Sequence, residues 1–294
     1  MQHLQSELDS LIGNKNNAVQ RRDFLKTAVG FGFAAAVLPV CAKTVIHTDA
    51  EGLTEGEFTL DIAGQPVPVY MAKPKDKNNL PVVLVISEVF GLHEHIADVV
   101  RRFAKQGYLA LAPELFIRQG EPSNYDTVAQ VIKEVVSKVP DSQVIGDLDA
   151  CVAWANRNGG NPDKTAVAGF CWGGRIAWLY AAHNPNIKAG VAWYGRLVAD
   201  SAPTALNPTN PLDIAGKLTT PMLGLYGGKD TGISMASIQQ MQAVLAQGGS
   251  HSEIVVYPKA GHAFHADYRP SYFPEDAKDS WKRCLEWLRA HGVE

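Results

Sequence analysis

Pro81-Val82-Val83-Leu84-Val85-Ile86 is an uninterrupted, largely β-branched apolar run. Successive side chains of a strand point to opposite faces, so a run with no polar member must be covered on both sides. Strands covered on both sides belong to mostly parallel sheets, and parallel neighbours need long crossover connections, usually helices. The remaining sequence supplies that alternation from about residue 55 onward. Residues 57–62 and 67–72 read as two edge strands ahead of a turn rich in Pro, Lys and Asn. Residues 96–107 form an amphipathic helical pattern and 108–112 a second buried strand. Residues 143–156 carry Val144, Leu148, Cys151 and Val152 along one helical stripe, with Gly146 weakening its first turn. Strand 165–169, a helix to about 182, strands 189–193 and 222–226, helix 234–246, strand 254–257 and a closing helix 276–291 complete the pattern. The expectation is one α/β domain, a mostly parallel sheet with helices on both faces. The chain's 294 residues suffice for one such unit.

Composition narrows the function. Net charge is −3 and no basic stripe is present, which argues against a nucleic-acid partner. Cys41, Cys151, Cys171 and Cys284 form no CxxC pair, so neither a disulfide framework nor a zinc site is expected. His93, His95, His262 and His265 have short spacings without a flanking Glu or Cys set, and no metal or other cofactor is expected.

The first 42 residues stand apart. Arg21-Arg22-Asp23-Phe24-Leu25-Lys26 precedes an uncharged stretch over 27–40 and then Val40-Cys41-Ala42. This resembles a bacterial twin-arginine (Tat) export signal cleaved after Ala42; the other reading is an ordinary amphipathic N-terminal helix. The first reading makes the Tat machinery a partner and the periplasm the destination; the second leaves the protein in the cytoplasm. The segment holds four Lys/Arg and three Asp/Glu, so its removal leaves residues 43–294 slightly more acidic. No apolar run approaches the roughly 20 residues of a membrane span.

Between the strand at 165–169 and the helix after it lies Gly169-Phe170-Cys171-Trp172-Gly173-Gly174, a G-x-nucleophile-x-G pattern with Cys in the nucleophile position. A nucleophile on a sharp strand-to-helix turn adopts a strained backbone, and glycines on either side let strand and helix approach. The turn sets the thiol at a helix N-terminus and directs the Trp172 N–H at a developing oxyanion. Alone, the pattern also fits an inert core cysteine. Chain order adds to it. Tyr226-Gly227-Gly228-Lys229-Asp230 delivers a carboxylate after one strand and Gly261-His262-Ala263-Phe264 an imidazole after the last. Singly, Asp230 also fits a turn and His262 a surface loop. Nucleophile, acid, histidine is the order of α/β-hydrolases, in which the acid orients the imidazole and the imidazole takes the nucleophile's proton.

Residues 55–294 resemble the dienelactone hydrolase (carboxymethylenebutenolidase) family of the α/β-hydrolase superfamily. The matching blocks are Ser87-Glu88-Val89-Phe90-Gly91-Leu92, Leu111-Ala112-Pro113-Glu114-Leu115, Gly169-Phe170-Cys171-Trp172-Gly173-Gly174 and Ala260-Gly261-His262-Ala263-Phe264. The resemblance implies the α/β-hydrolase fold and a Cys171–His262–Asp230 triad. It makes Glu88 a glutamate that interacts with the resting cysteine and helps form the thiolate when substrate binds. Read from the residues alone, Glu88 is equally a rim carboxylate paired with an arginine. The Val89 N–H becomes the second oxyanion donor beside Trp172. Arg118 matches one of the arginines that grip the substrate carboxylate, or is a plain surface arginine. The second arginine would fall four residues after Gly261, where this chain has His265, and Arg269 lies further on as a candidate replacement. Trp172, Trp193 and Tyr194 are expected as pocket wall. The implied activity is hydrolysis of a small lactone or activated ester through an acyl-cysteine. The contrasting reading is a non-catalytic periplasmic binding or thiol-redox protein on the same fold.

Overall fold

The computed structural model describes residues 46–199 and 201–294. The twin-arginine segment lies outside them. Eight strands form one sheet: β1 (Leu53–Ile62), β2 (Gln65–Pro74), β3 (Leu80–Ile86), β4 (Leu109–Pro113), β5 (Gly160–Phe170), β6 (Ile187–Trp193), β7 (Met222–Gly227) and β8 (Glu253–Tyr257). Their order is β1-β2-β4-β3-β5-β6-β7-β8. β2 runs antiparallel to both β1 and β4, and every later neighbour pair is parallel. Val82, Val83, Leu84, Val85 and Ile86 have no exposed surface, so both faces of the sheet are covered at β3.

Seven helices accompany the strands among the described residues: α1 (Glu94–Lys105), α2 (Val128–Glu134), α3 (Asp141–Arg157), α4 (Trp172–His183), α5 (Pro211–Ala215), α6 (Met235–Gln247) and α7 (Pro274–Ala290). α1 shows why its sequence is helical. Ile96, Val99, Val100 and Phe103 recur along one buried stripe, Glu94 lies in the first turn, and Arg102 and Lys105 in the last.

The sheet corrects one expectation. Residues 67–72 are not an edge strand, because β2 lies between β1 and β4. Prolines at 66 and 68 lack N–H groups, but β2 pairs with β4 only over Val69–Ala72, beyond both. β5 also begins at Gly160 rather than 165, its polar Asn161-Pro162-Asp163 start being joined to β3 through an irregular register at Leu80 and Val82. α2 and α5 fall in stretches to which the sequence pattern assigned no element.

The order reverses between β3 and β5: β3 connects to β4 on one side, while the chain returns to the other side at β5. In open parallel sheets, ligands bind outside the carboxyl ends of the strands at this switch point. Here those ends lead into Glu88-Val89 and Cys171.

Candidate active site

Cys171 joins the last residue of β5 to the first of α4 with φ 53° and ψ −115°. A non-glycine residue in this region stores roughly 1–3 kcal/mol of strain, which the surroundings must hold in place. They do so through the backbone. The Cys171 N–H donates to the Trp193 carbonyl at 3.0 Å, and its own carbonyl accepts from Gly174 and Arg175 at 2.9 and 3.2 Å. Two glycines make the turn possible. A Cβ on Gly169 would stand 2.0 Å from the Gly173 carbonyl oxygen, and one on Gly173 would stand 2.3 Å from that of Ile86. The start of α4 therefore rests directly on the ends of β5 and β3.

The loops after β7 and β8 complete a hydrogen-bonded chain. His262 Nε2 lies 3.1 Å from Cys171 Sγ, and His262 Nδ1 lies 2.7 Å from Asp230 Oδ2. Asp230 is itself fixed, its Oδ1 accepting from the Gly232 and Ile233 N–H groups at 2.8 and 3.2 Å. An ionised carboxylate only accepts, so Nδ1 carries a proton and Nε2 faces the sulfur. Burial pushes the His262 imidazole down, but the Cys171 sulfur and the Asp230 carboxylate push it up more strongly. It ends well above its ordinary range. This environment favours an imidazolium.

Trp172 is the first residue of α4, so its N–H is one of those that have no partner within the helix. Trp172 and Val89 both line the cavity in which Cys171 and His262 stand. Glu88 is buried, 1% exposed, and accepts a hydrogen bond from the Tyr268 hydroxyl at 2.5 Å. Among the described residues no hydrogen bond joins Glu88 to Cys171. The resting contact implied for that glutamate is therefore replaced by one to Tyr268, while the sulfur meets His262. Burial and then the Glu88 charge push the Tyr268 phenol well above its usual range, so it stays a donor.

The cavity has a volume of about 290 Å³, suited to a small substrate. Ile132, Val136, Arg196 and Asn207 line it together with Cys171 and His262. None of the three residues expected to hold a substrate carboxylate is among those lining it. Arg118 makes a two-pronged ion pair with Asp147, at 2.7 and 2.9 Å. His265 is 2% exposed among Phe170, Trp193 and Trp281, where burial pushes it well below the ordinary histidine range. Arg269 is 4% exposed, with its guanidinium 5.3 Å from the Phe90 ring. Trp193 is likewise buried, stacked on Phe170, while Trp172 and Tyr194 do line the cavity. The grouped histidines are otherwise engaged: His95 Nδ1 lies 2.8 Å from Asp267, and burial, with help from His95 and Arg269, pushes His93 down to about 3. Among the described residues no group of three or more His, Cys, Asp or Glu is placed to hold a metal.

Two residues were not anticipated. Arg196 lies just beyond the carboxyl end of β6, a position that in a parallel sheet is itself a signal of a site. Tyr268 directly precedes Arg269, but nothing in its spacing ties it to Glu88, 180 residues away.

A sharp strand-to-helix turn carrying Cys171 after β5, with Asp230 after β7 and His262 after β8 of a mostly parallel sheet, is the α/β-hydrolase arrangement. Residues 67–292 match the sequence model of the dienelactone hydrolase family. A protein of Methylorubrum extorquens assigned as a carboxymethylenebutenolidase is 54% identical over 276 residues, 94% of each chain. One of Salmonella typhimurium, assigned likewise, is 51% identical over 89% of this chain and 96% of its own. The crystal structure of a protein from Klebsiella pneumoniae assigned as a dienelactone hydrolase superposes with a TM-score of 0.79 at 50% identity, covering 81% of this chain and 98% of that one. The chain belongs to the dienelactone hydrolase family and is a carboxymethylenebutenolidase-like hydrolase.

Proposed function

We propose that this hydrolase opens a small lactone or activated ester through an acyl-cysteine on Cys171. The observation that carries the reading is the chain Cys171–His262–Asp230, with contacts of 3.1 and 2.7 Å. His262 holds the thiol proton, and the thiolate attacks the carbonyl carbon. A C–S bond forms, and the carbonyl electron pair moves to oxygen, where the Trp172 and Val89 N–H groups receive it. Collapse of this tetrahedral species breaks the bond to the leaving oxygen, which takes the proton from His262. In a second half-reaction His262 accepts a proton from water, hydroxide adds to the thioester, and the cysteine thiolate departs. A thiolate leaves more readily than a simple alkoxide, so the first step goes forward only when the competing leaving group is good. Enol lactones and aryl esters meet that requirement; amides do not. Glu88, held by the Tyr268 hydroxyl, is the glutamate that helps form the thiolate when substrate binds. A substrate carboxylate is met by Arg196 in place of Arg118, His265 or Arg269.

Rapid mixing with an activated aryl ester tests this. A burst of one aryl alcohol per active site is expected, with an acyl mass on Cys171 that Cys171→Ala lacks. No burst and no adduct would leave the binding or thiol-redox alternative. We also propose export, supported by the Arg21-Arg22 pair. Changing both to Lys should retain the protein in the cytoplasm, and undiminished periplasmic recovery would refute it.

A further inference from the structure

Resting on the acyl-cysteine reading above, we infer that Glu114 is a positioning residue for the oxyanion hole: one carboxylate ties the segment that carries Val89 to the segment that packs on Trp172. Glu114 follows β4, the sheet neighbour of β3, and takes no part in the reaction steps described above. Its own N–H donates to the Pro68 carbonyl at 2.8 Å, which anchors it to β2.

Each carboxylate oxygen has a different task. Oε2 accepts from the Leu92 N–H at 2.6 Å. Leu92 directly follows the turn that begins at Glu88, and this turn is closed by the Gly91 N–H donating to the Glu88 carbonyl at 3.3 Å. Val89 lies inside the turn, so Glu114 pins its far end while β3 fixes the near end. Gly91 is needed twice. Its φ is +71°, and a Cβ there would stand 2.5 Å from Glu114 Oε2. Oε1 accepts from the Phe116 N–H at 3.1 Å, and the Phe116 ring packs against Trp172 with centroids 4.8 Å apart. The two donors of the proposed oxyanion hole come from elements far apart in sequence, and Glu114 reaches the neighbour of each.

A residue needed only for packing would not carry a charge here. Burial pushes the Glu114 carboxyl up to about 7 even though the Leu92 and Phe116 N–H groups pull it down, with the Glu121 and Glu57 charges adding to the rise. A glutamine of the same shape avoids that cost but offers one acceptor oxygen. Its NH₂ would face the second N–H, donor against donor. An aspartate keeps the charge but is one methylene too short to span both contacts.

The decisive comparison sets acyl transfer, which needs an oxyanion hole, against alkylation of the same sulfur by iodoacetamide, which does not. In full-length Glu114→Gln at pH 8, the burst-phase acylation rate with an aryl ester should fall tenfold or more, less than the 10²–10³-fold typical of deleting an oxyanion donor outright. Its substrate KM and the iodoacetamide rate at Cys171 should stay within about twofold of wild type. Glu114→Asp should be intermediate, and it provides the same test should the Gln variant fold poorly. Acylation unchanged in either folded variant would overturn the inference. So would a parallel fall in both rates, which would place the effect on the Cys171–His262 pair. If the wild-type enzyme forms no acyl adduct on Cys171 while alkylating normally, the acyl-cysteine reading fails first, and this inference with it.

Discussion

The floor of the cavity and its walls are held by different kinds of contact. On the floor, Cys171 is bound by its own backbone to Trp193, Gly174 and Arg175, and Gly173 leaves no room for a Cβ against the carbonyls of Ile86 and Ser87. No rotamer change can absorb a displacement there. The walls come from α2 with the turn after it, and from the long connection between β6 and β7. They present Ile132, Val136, Arg196 and Asn207. Backbone contacts tolerate little variation in residue type, whereas a wall of side chains can be re-cut while the chemistry stays in place.

The largest effect should come from breaking the floor. In Gly173→Ala the new Cβ meets two backbone oxygens, at 2.3 and 2.5 Å, so α4 must lift from β3. Overpacking of this kind costs about 3 kcal/mol, or about 6–12 °C in Tm for a domain of this size. Acylation should fall about 100-fold, because an ångström of misplacement of a nucleophile costs that much. On the wall, Ile132→Val should change stability by about 1 kcal/mol and KM by no more than about twofold. Thermal melts and burst kinetics on the two variants check this. Similar losses in both would erase the distinction between floor and wall.

The same distinction governs what could be read from the sequence. The elbow was legible because steric necessity writes itself into residue type: only glycine fits at 169 and 173, and only a handful of residues serve as nucleophile. β3 was legible because a strand covered on both faces admits no polar residue. The place of β2 was not legible, since period-two alternation reports which side chains are buried and not which strand lies alongside. α2 and α5 escaped for want of long apolar periodicity, although Thr127 with Gln130 and Asn210 with Asp213 form capping boxes that mark their starts. That Arg118, His265 and Arg269 do not line the cavity was hidden for another reason. A cationic residue aligned with a family position looks the same in sequence whether it faces the cavity or a buried partner such as Asp147.

That last point yields the finest test of the comparison, because two arginines of similar exposure should fail in different ways. The Asp147 side chain is 2% exposed and that of Arg118 17%, and burial holds the Asp147 carboxyl above its ordinary value although Arg118 pulls it down. Arg118→Met strands this carboxylate without its partner, so the variant should lose about 3 kcal/mol of stability. Its KM should not change, even for an ester that bears a carboxylate, because Arg118 does not line the cavity. Arg196 does line it. Arg196→Gln is the matching change on the wall. It should raise KM about tenfold for a carboxylate-bearing aryl ester, the equivalent of about 1.4 kcal/mol, and leave a neutral ester of the same size untouched. Neither variant should alter the rate at which iodoacetamide labels Cys171, since both leave the floor intact. A KM that rises with charge selectivity in Arg118→Met would return that residue to the substrate site. Equal KM for both esters in Arg196→Gln would mean that the wall recognises shape rather than charge.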